Sequence, residues 1–204
     1  MNNGILTGKN YNKEAVIVNL AWANIFGIIV LALAALLFGA IFFMIWGGFS
    51  IQSLLHVFGN KAVGGVRFII LIIAGMIIHE LIHGIFFAMF AANGWRSIKF
   101  GILPARKLFT PYCHCKDVIK ARNYIIATIM PLIILGIIPA IISLAIGSKA
   151  LLFFGILFIG AASGDLLIFN KIKNEDGDAW VMDNPLDAGY YIYRQIEEHP
   201  KRSD

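Results

Sequence analysis

Long apolar runs separated by short polar stretches dominate the pattern of the sequence. An α-helix needs about 20 apolar residues to cross the hydrocarbon core of a bilayer. Trp22 and Trp46 flank the first run, as interfacial aromatic residues do, and two glycines follow it. The pattern predicts four transmembrane helices, at residues 24–46, 66–92, 119–146 and 150–169.

The polar stretch between the second and third predicted spans has a different periodicity. Apolar residues alternate with Lys99 and Gly101, and a turn sequence around Pro104 leads into residues 108–114. Alternation with a period of two is typical of strands, so we expect a β-hairpin at about residues 96–115. Pro111 would confine the second strand to a sheet edge, which could hold an extended peptide or rest against lipid headgroups.

The remaining polar stretches predict no further strand. Residues 49–65 carry apolar side chains at helical spacing, which fits either a short helix on the membrane surface or a plain loop. Residues 171–204 form a polar tail after the last span. The predicted fold class is therefore an all-α integral membrane protein with one hairpin between spans two and three, and residues 1–204 form a single membrane-embedded domain.

Composition agrees with a membrane location. Hydrophobic residues make up 59% of the 204 residues and charged residues only 14%, which excludes an ordinary soluble domain. The first apolar run is also much longer than the hydrophobic part of a cleaved signal peptide, so we expect it to remain as an anchor.

The distribution of charge predicts the orientation in the membrane. Basic residues cluster before span one, in the hairpin region and after span four, whereas the opposite ends hold few: Lys61, Arg67 and Lys149. Because cytoplasmic loops are enriched in Lys and Arg, both termini and the hairpin are predicted to be cytoplasmic. Cys113 and Cys115 are too close for an ordinary disulfide framework, which agrees with a reducing compartment. The net charge of +5 then reflects topology and anionic lipid contact, and nucleic acid is not an expected partner.

The candidate chemistry lies in the second span, which contains His79-Glu80-Leu81-Ile82-His83. Residues four apart on a helix are separated by about 40° around the axis and about 6 Å along it, so both imidazoles can reach one metal ion. Glu80 projects about 100° away from His79, where it can act on a water molecule instead of binding the metal. Because ionisable residues inside a membrane are costly, three together indicate a functional site.

A third candidate ligand lies in the fourth span. Between Ala15 and Lys173 the only acidic residues are Glu80, Asp117 and Asp165, and Asp117 belongs to the hairpin region. Asp165 is thus the one carboxylate besides Glu80 that the spans contain, and helix tilt would allow it to meet the two histidines. Small residues at 161–164 should let span four pack closely against span two, where Gly75 and Gly84 offer a flat surface.

These motifs resemble a known family. The histidine motif in a span, the basic loop with hairpin character, Ser163-Gly164-Asp165, and the later Asp183-x-Pro185 and Gly189 resemble the zincin-peptidase family of small bacterial membrane proteins, whose function is unknown. The family is distantly similar to site-2 proteases, which cleave peptides with zinc inside the membrane. The resemblance implies His79 and His83 as zinc ligands, Glu80 as the catalytic base and Asp165 as the third ligand.

Two alternatives concern the metal site. Site-2 proteases carry their aspartate after an Asn-Pro sequence, and here that wording occurs at Asn184-Pro185, close to Asp187. We favour Asp165, because a carboxylate within a span needs a partner, whereas Asp187 is solvated at little cost. Cys113, His114 and Cys115 could bind a second metal, but His114 on a strand points away from both cysteines, so a reduced hairpin is preferred.

The sequence thus predicts a zinc metalloprotease that hydrolyses peptide bonds within or beside the membrane. Its expected partners are membrane lipid and a protein or peptide substrate. The alternative is a non-catalytic zinc-binding adaptor or sensor, but a structural zinc ion has no use for Glu80. A metal transporter is disfavoured, since spans one and three carry few polar residues.

Overall fold

The computed structural model describes residues 11–48, 61–103 and 110–196. The described residues form six α-helices and six strands. The helices are α1 (Leu20–Trp46), α2 (Lys61–Phe90), α3 (Ala121–Pro131), α4 (Ile138–Ile146), α5 (Lys149–Ala161) and α6 (Ser163–Ile172). The strands are β1 (Tyr11–Ile17), β2 (Ile98–Leu103), β3 (Thr110–Cys115), β4 (Ile119–Lys120), β5 (Trp180–Asp183) and β6 (Gly189–Gln195).

Three helical stretches are long and apolar enough to cross a membrane: Ala21–Trp46, Gly64–Phe90 and Ala121–Ile146. A fourth span exists if the bent pair α5 and α6 is counted as one. These helices indicate a multi-pass membrane protein and agree with three of the predicted spans to within a few residues. The side chains of α1 are mostly exposed, as a helix in contact with lipid requires.

The third span is continuous but not regular. Between α3 and α4 the chain forms a π-helical turn at Leu132–Ile137, directly after Pro131. Proline cannot donate the usual backbone hydrogen bond, and a π turn is one way in which a helix absorbs such a defect. The irregularity of this span is therefore a change of helix type between two α-helical halves.

The fourth predicted span is bent by 49° between α5 and α6. Ala162 leaves helical geometry at this point, with φ −78° and ψ 14°. The small residues before Asp165 pack mainly against α1, where Gly27 lies against Ser163 and Leu31 lies against Gly160. These small residues thus contact span one and not span two, whereas the predicted flat surface at Gly75 of span two is covered by Phe158 of α5. The bend leaves Asp165 in the first turn of α6.

The predicted hairpin is present. β2 and β3 pair antiparallel, with Ile98 opposite Cys115 and Leu103 opposite Thr110. The turn predicted around Pro104 lies outside the described residues, as does most of the stretch 49–65, for which the sequence allowed a surface helix or a loop. Gly84 of α2 packs against the ring of Phe100, which seats the hairpin on the helix that carries the histidine motif.

The prediction of an all-α fold was wrong. A second, four-stranded sheet has the order β1-β6-β5-β4 and joins the two ends of the described chain. Tyr11 pairs with Gln195 and Ile17 with Gly189, so the strand before the first span and the predicted tail form one antiparallel ladder. Strands this far apart in sequence leave no local hairpin signal, and two-residue β4 is too short to show a periodicity.

The hydrophobic core that supports the site lies beneath this sheet. Tyr124, Tyr190, Ile119, Val181 and Ile192 are fully or almost fully buried there, together with Phe87 from α2. The core therefore joins the end of the second span, the start of the third span and the four-stranded sheet. These are the elements that surround the histidine motif.

A buried carboxylate fastens the base of the hairpin to the end of α2. Asp117 accepts a hydrogen bond of 2.5 Å from the Ser97 hydroxyl, one of 3.0 Å from the Asn93 backbone amide and others from the Asn93 side chain. Burial opposes ionisation, but the hydrogen bonds from Ser97 and Asn93 outweigh it and hold the pKa of Asp117 below its ordinary value.

We expect Asp117→Asn to destabilise the fold by about 1–2 kcal/mol, because the amide cannot accept all of these hydrogen bonds. Since the folded pKa lies below the ordinary value of 3.8, the contribution of Asp117 is complete at neutral pH and is lost as the pH falls through the folded pKa. Thermal unfolding in detergent at pH 7 and at pH 3 measures both effects. Asp178→Asn is the control, since its ion pair with Arg122 is exposed, and it should change stability by less than about 0.5 kcal/mol. Equal stability of Asp117→Asn and the wild type at pH 7 would contradict the role of this carboxylate.

Candidate metal centre

Helix α2 presents two histidine side chains on one face. The rings of His79 and His83 are 4.9 Å apart between centroids and nearly perpendicular to each other. His83 is buried and His79 partly so. The helical spacing of four residues therefore produces the convergence that the sequence predicts.

Asp165 on α6 lies between the two histidines. Its Oδ2 atom is 3.1 Å from Nε2 of His79, and its Oδ1 atom is 3.3 Å from Nε2 of His83. The three side chains offer donor atoms that all lie within 4.8 Å of one another, so the group could hold a metal ion. His83 and Asp165 both lie seven residues before the last residue of their helices, which explains how the two helices bring them to the same level.

The third span orients His83. Nδ1 of His83 is 2.9 Å from the backbone carbonyl oxygen of Ala127 on α3, and an oxygen acceptor requires that this nitrogen carry the proton. In the neutral ring Nε2 then has a free lone pair, and it points at a carboxylate oxygen of Asp165. Two acceptors face each other at this distance only if a proton or a metal ion lies between them. A backbone carbonyl on the distal nitrogen is also the usual support of a metal-binding histidine.

Each histidine lies at about the spacing of two ligands of a tetrahedral zinc ion from one carboxylate oxygen of Asp165, His79 from Oδ2 and His83 from Oδ1. Nitrogen and oxygen ligands bind zinc at about 2.0–2.1 Å, which places neighbouring ligand atoms about 3.3–3.4 Å apart. The observed separations of 3.1 and 3.3 Å between Asp165 and the two histidines are close to this spacing. Two imidazoles and one carboxylate also form a ligand set that zinc accepts, and they leave one coordination position open.

Glu80 lies beside this group without being a member of it. It lines the same cavity as His79, His83 and Asp165, and Cys113 of β3 lines that cavity as well. The cavity has a volume of about 270 Å³ and is open to one side. Its other walls come from β3 and from the turn between β5 and β6, so the hairpin and the four-stranded sheet both border the candidate metal centre.

The comparison with protein families gives a match. Residues 72–180 match the sequence profile of a family described as "putative zincin peptidase", and this stretch is more than half of the chain. The chain belongs to this family. No curated protein and no solved structure matches the sequence.

The zincin peptidase match covers the parts of the chain that build the centre. It begins within α2 before His79, contains the hairpin, the third span and Asp165, and ends at the first residue of β5. Zinc is the metal that membership of a zincin family implies, and a peptide is the implied substrate. The resemblance at Asp183-x-Pro185 and Gly189 lies beyond the matched stretch.

The alternative metal-binding residues are elsewhere. Asp187 lines the rim of the same cavity but is not part of the group of three donors. Burial raises the pKa of Cys113 and raises that of Cys115 to about 12, and neither sulfur belongs to the group of donors that could hold an ion. His114 instead contacts Asp183. Within the described ranges, His79, His83 and Asp165 are the only group with metal-site geometry.

Sequence reasoning missed the roles of three residues of the site, Ala127, Tyr124 and Asp183. The sequence signal for the Ala127 carbonyl is Pro131, four residues later, which has no N–H to donate the usual helical hydrogen bond and so leaves this carbonyl available to His83. Asp183 and Tyr124, which are hydrogen-bonded at 2.8 Å and line the cavity, come from elements 59 residues apart. The Asp183-x-Pro185 motif was the one sequence signal for Asp183, and it did not indicate which residues Asp183 contacts.

Proposed function

We propose that this zincin-family protein is a zinc-dependent peptidase that hydrolyses peptide bonds within or beside the membrane. One observation carries the proposal. His79, His83 and Asp165 form a compact donor set, and a carboxylate that is not needed as a ligand, Glu80, lines the same cavity. This is the division of labour that hydrolysis requires, with three residues to hold the metal and one to handle the proton.

In this proposal the protein residues have distinct roles. His79, His83 and Asp165 hold the ion, and the Ala127 carbonyl fixes the ring of His83. Zinc at this place supplies an electrophile that polarises the scissile carbonyl and makes a water molecule more acidic. Glu80 accepts the proton of the attacking water and then gives it to the nitrogen of the leaving amine.

The free edge of β3 is suited to hold the substrate. The Lys116 N–H donates a hydrogen bond to the Ser97 carbonyl, so this pair, next to Ile98 and Cys115 in the hairpin register, is a hydrogen-bonded pair. Hydrogen-bonded pairs alternate along an antiparallel ladder, so the backbone groups of Pro111 and Cys113 point away from β2. Pro111, Tyr112 and Cys113 all line the cavity, and three consecutive residues can do so when a strand presents its edge.

We therefore propose that an extended peptide pairs with β3 and passes its scissile bond over the metal centre. The absence of an N–H at Pro111 costs nothing on an edge strand. The test uses a series of variants of one cleaved peptide, each methylated at a different backbone nitrogen near the scissile bond. Methylation of a nitrogen that donates to β3 should slow cleavage strongly, and methylation of the neighbouring nitrogens, which point away from β3, should slow it only weakly. Equal effects at successive positions would exclude strand pairing.

The topology we propose has both termini and the hairpin in the cytoplasm. The pairing of β1 with β6 requires the strand before the first span and the tail after the last to lie on the same side. That side also bears most of the basic residues of the chain, as cytoplasmic segments do. Single cysteines added at each terminus should be shielded from a membrane-impermeant maleimide in intact cells, and labelling of either one would reverse the assignment.

A non-catalytic zinc-binding adaptor or sensor is the competing function. Structural zinc sites normally fill all four positions with protein ligands, whereas the group here offers three and adjoins an open cavity. The geometry therefore favours catalysis.

Removal of the metal tests the proposed function. Treatment of the detergent-solubilised protein with a strong chelator should abolish cleavage of a fluorogenic peptide library, and one equivalent of zinc should restore it. Magnesium should not restore activity, because it prefers an octahedral set of oxygen ligands. Library cleavage that survives complete removal of zinc would contradict a zinc peptidase.

A further inference from the structure

A buried polar cluster beside the metal centre has no part in the proposed chemistry. The Tyr124 hydroxyl donates a 2.8 Å hydrogen bond to Oδ1 of Asp183, and Nδ1 of His114 lies 3.1 Å from Oδ2 of the same carboxylate. An ionised carboxylate only accepts hydrogen bonds, so the His114 ring donates from Nδ1. Tyr124 and His114 are both buried. Both carboxylate oxygens of Asp183 thus have hydrogen-bond partners inside the protein.

The cluster joins three separate parts of the fold. Asp183 ends β5 of the four-stranded sheet, Tyr124 lies in the first turn of the third span, and His114 is in β3 of the hairpin. Among the described residues, β3 pairs with no strand other than β2. The Asp183 contact is thus a point at which the cavity side of the hairpin is fastened to the body of the protein.

The same cluster is connected to the metal ligands. The ring of Phe87 stacks on His83 at 6.2 Å between centroids and packs against Tyr124 at 5.3 Å. Tyr124 lies three residues before Ala127, whose carbonyl orients His83. The side chains that hold β3 and those that hold the ligand are therefore packed into one buried unit.

His114 also directly follows Cys113, which lines the cavity together with Glu80. The N–H and carbonyl of Cys113 point away from β2 into the cavity, and those of His114 point toward β2. The contact of the His114 side chain with Asp183 consequently determines the distance of the Cys113 backbone from the metal centre. A displacement of about 1 Å at such a place can cost about 100-fold in rate or affinity.

We propose that Asp183 is a positioning residue for the substrate: by clamping His114 and Tyr124 it fixes the free edge of β3 in register with the metal centre. This role rests on the proposed peptidase function. Asp183 itself touches neither the metal nor the scissile bond. Its loss should weaken the binding of a peptide along β3 and leave the metal-binding group intact.

The test compares two inhibitors that share one metal-binding group. Acetohydroxamate contacts only the metal, whereas a tripeptidyl hydroxamate adds a backbone that can pair with β3. Affinities are measured with the full-length protein in detergent after loading with Co²⁺, by the change in the visible spectrum of the ion. For Asp183→Ala we expect the tripeptidyl hydroxamate to bind about 10- to 100-fold more weakly, and acetohydroxamate to bind within about twofold of the wild type.

Asp183→Asn provides the rescue. Its carbonyl can accept from Tyr124 and its amide can donate to His114 in the other tautomer, so both affinities should remain within about threefold of the wild type. Asp187→Ala removes another carboxylate of the same cavity that lacks these contacts, and it controls for a simple effect of cavity charge. Without metal, amide hydrogen exchange in β3 should be faster in Asp183→Ala than in the wild type.

Four results would overturn this role. Unchanged binding of the tripeptidyl hydroxamate to Asp183→Ala would show that the clamp does not position β3, and equal loss of both inhibitors would make Asp183 a support of the metal ligands instead. Equal weakening by Asp187→Ala would attribute the effect to charge. Wild-type protein that takes up no Co²⁺ would contradict the proposed peptidase as well, and that failure is visible before any inhibitor is added.

Discussion

Glu80→Gln is expected to lower the rate of peptide hydrolysis by about 10²–10⁴-fold, the usual contribution of a positioned general base. Glutamine has nearly the same shape but cannot accept a proton from water. Because Glu80 lines the cavity without belonging to the donor group, the variant should retain its zinc. The measurement is the cleavage rate of a fluorogenic peptide together with the zinc content of the same sample.

Glu175→Gln is the matched control for this experiment. Glu175 pairs with Arg194 at the protein surface and does not line the cavity, so the variant should cleave within about twofold of the wild type. Full activity of Glu80→Gln would remove the base from the mechanism. Loss of zinc together with activity would make Glu80 a ligand.

Asp165→Ala should abolish stoichiometric zinc binding. The carboxylate lies against both histidines, at 3.1 and 3.3 Å, and it is the only anionic member of the donor group. Since zinc sites in proteins draw about 10–16 kcal/mol from four ligands, removal of one should weaken binding by at least about 100-fold. Elemental analysis of the purified variant gives the answer directly.

Two further variants sharpen this result. Asp165→Asn keeps the shape of the side chain and should also bind zinc poorly, which separates loss of the ligand from damage to the fold. Asp187→Ala should keep its zinc, because Asp187 lies at the cavity rim and outside the donor group. Zinc that is lost with Asp187→Ala but kept in Asp165→Ala would transfer the third ligand to the turn between β5 and β6.

The parts of this protein that were accessible from sequence depend on local spacing. His79 and His83 converge because four residues make slightly more than one helical turn, and the spans follow from the length of apolar runs. The hairpin followed from alternation beside Lys99 and Gly101. Asp165 required one more step, that a carboxylate inside a span needs a partner.

The parts that were missed depend on contacts between distant segments. β1 and β6 pair across nearly the whole chain, and neither strand alternates in a way that separates it from a polar terminus. The bend at Ala162 arises where small residues let α6 lie against α1, which no single run of sequence encodes. Asp183 likewise acquires its role only when three elements meet.

The sheet also gives the site a property that the spans alone would lack. The two helices that carry the donor group end beneath a core to which the hairpin and the four-stranded sheet contribute. The walls of the cavity are therefore set by strands that are held at several points, by Asp117 at the base of the hairpin and by Asp183 beside the cavity. Such support is what a hydrolytic site needs for reproducible placement of a substrate.

X-ray absorption at the zinc edge of the purified wild-type protein tests the metal centre most directly. We expect a first shell of nitrogen and oxygen atoms only, at about 2.0–2.2 Å, with the multiple scattering of two imidazole rings, as His79, His83 and Asp165 require. Sulfur at about 2.3 Å would assign the zinc to Cys113 and Cys115, and protein that binds no zinc after reconstitution would contradict a metal centre at this place.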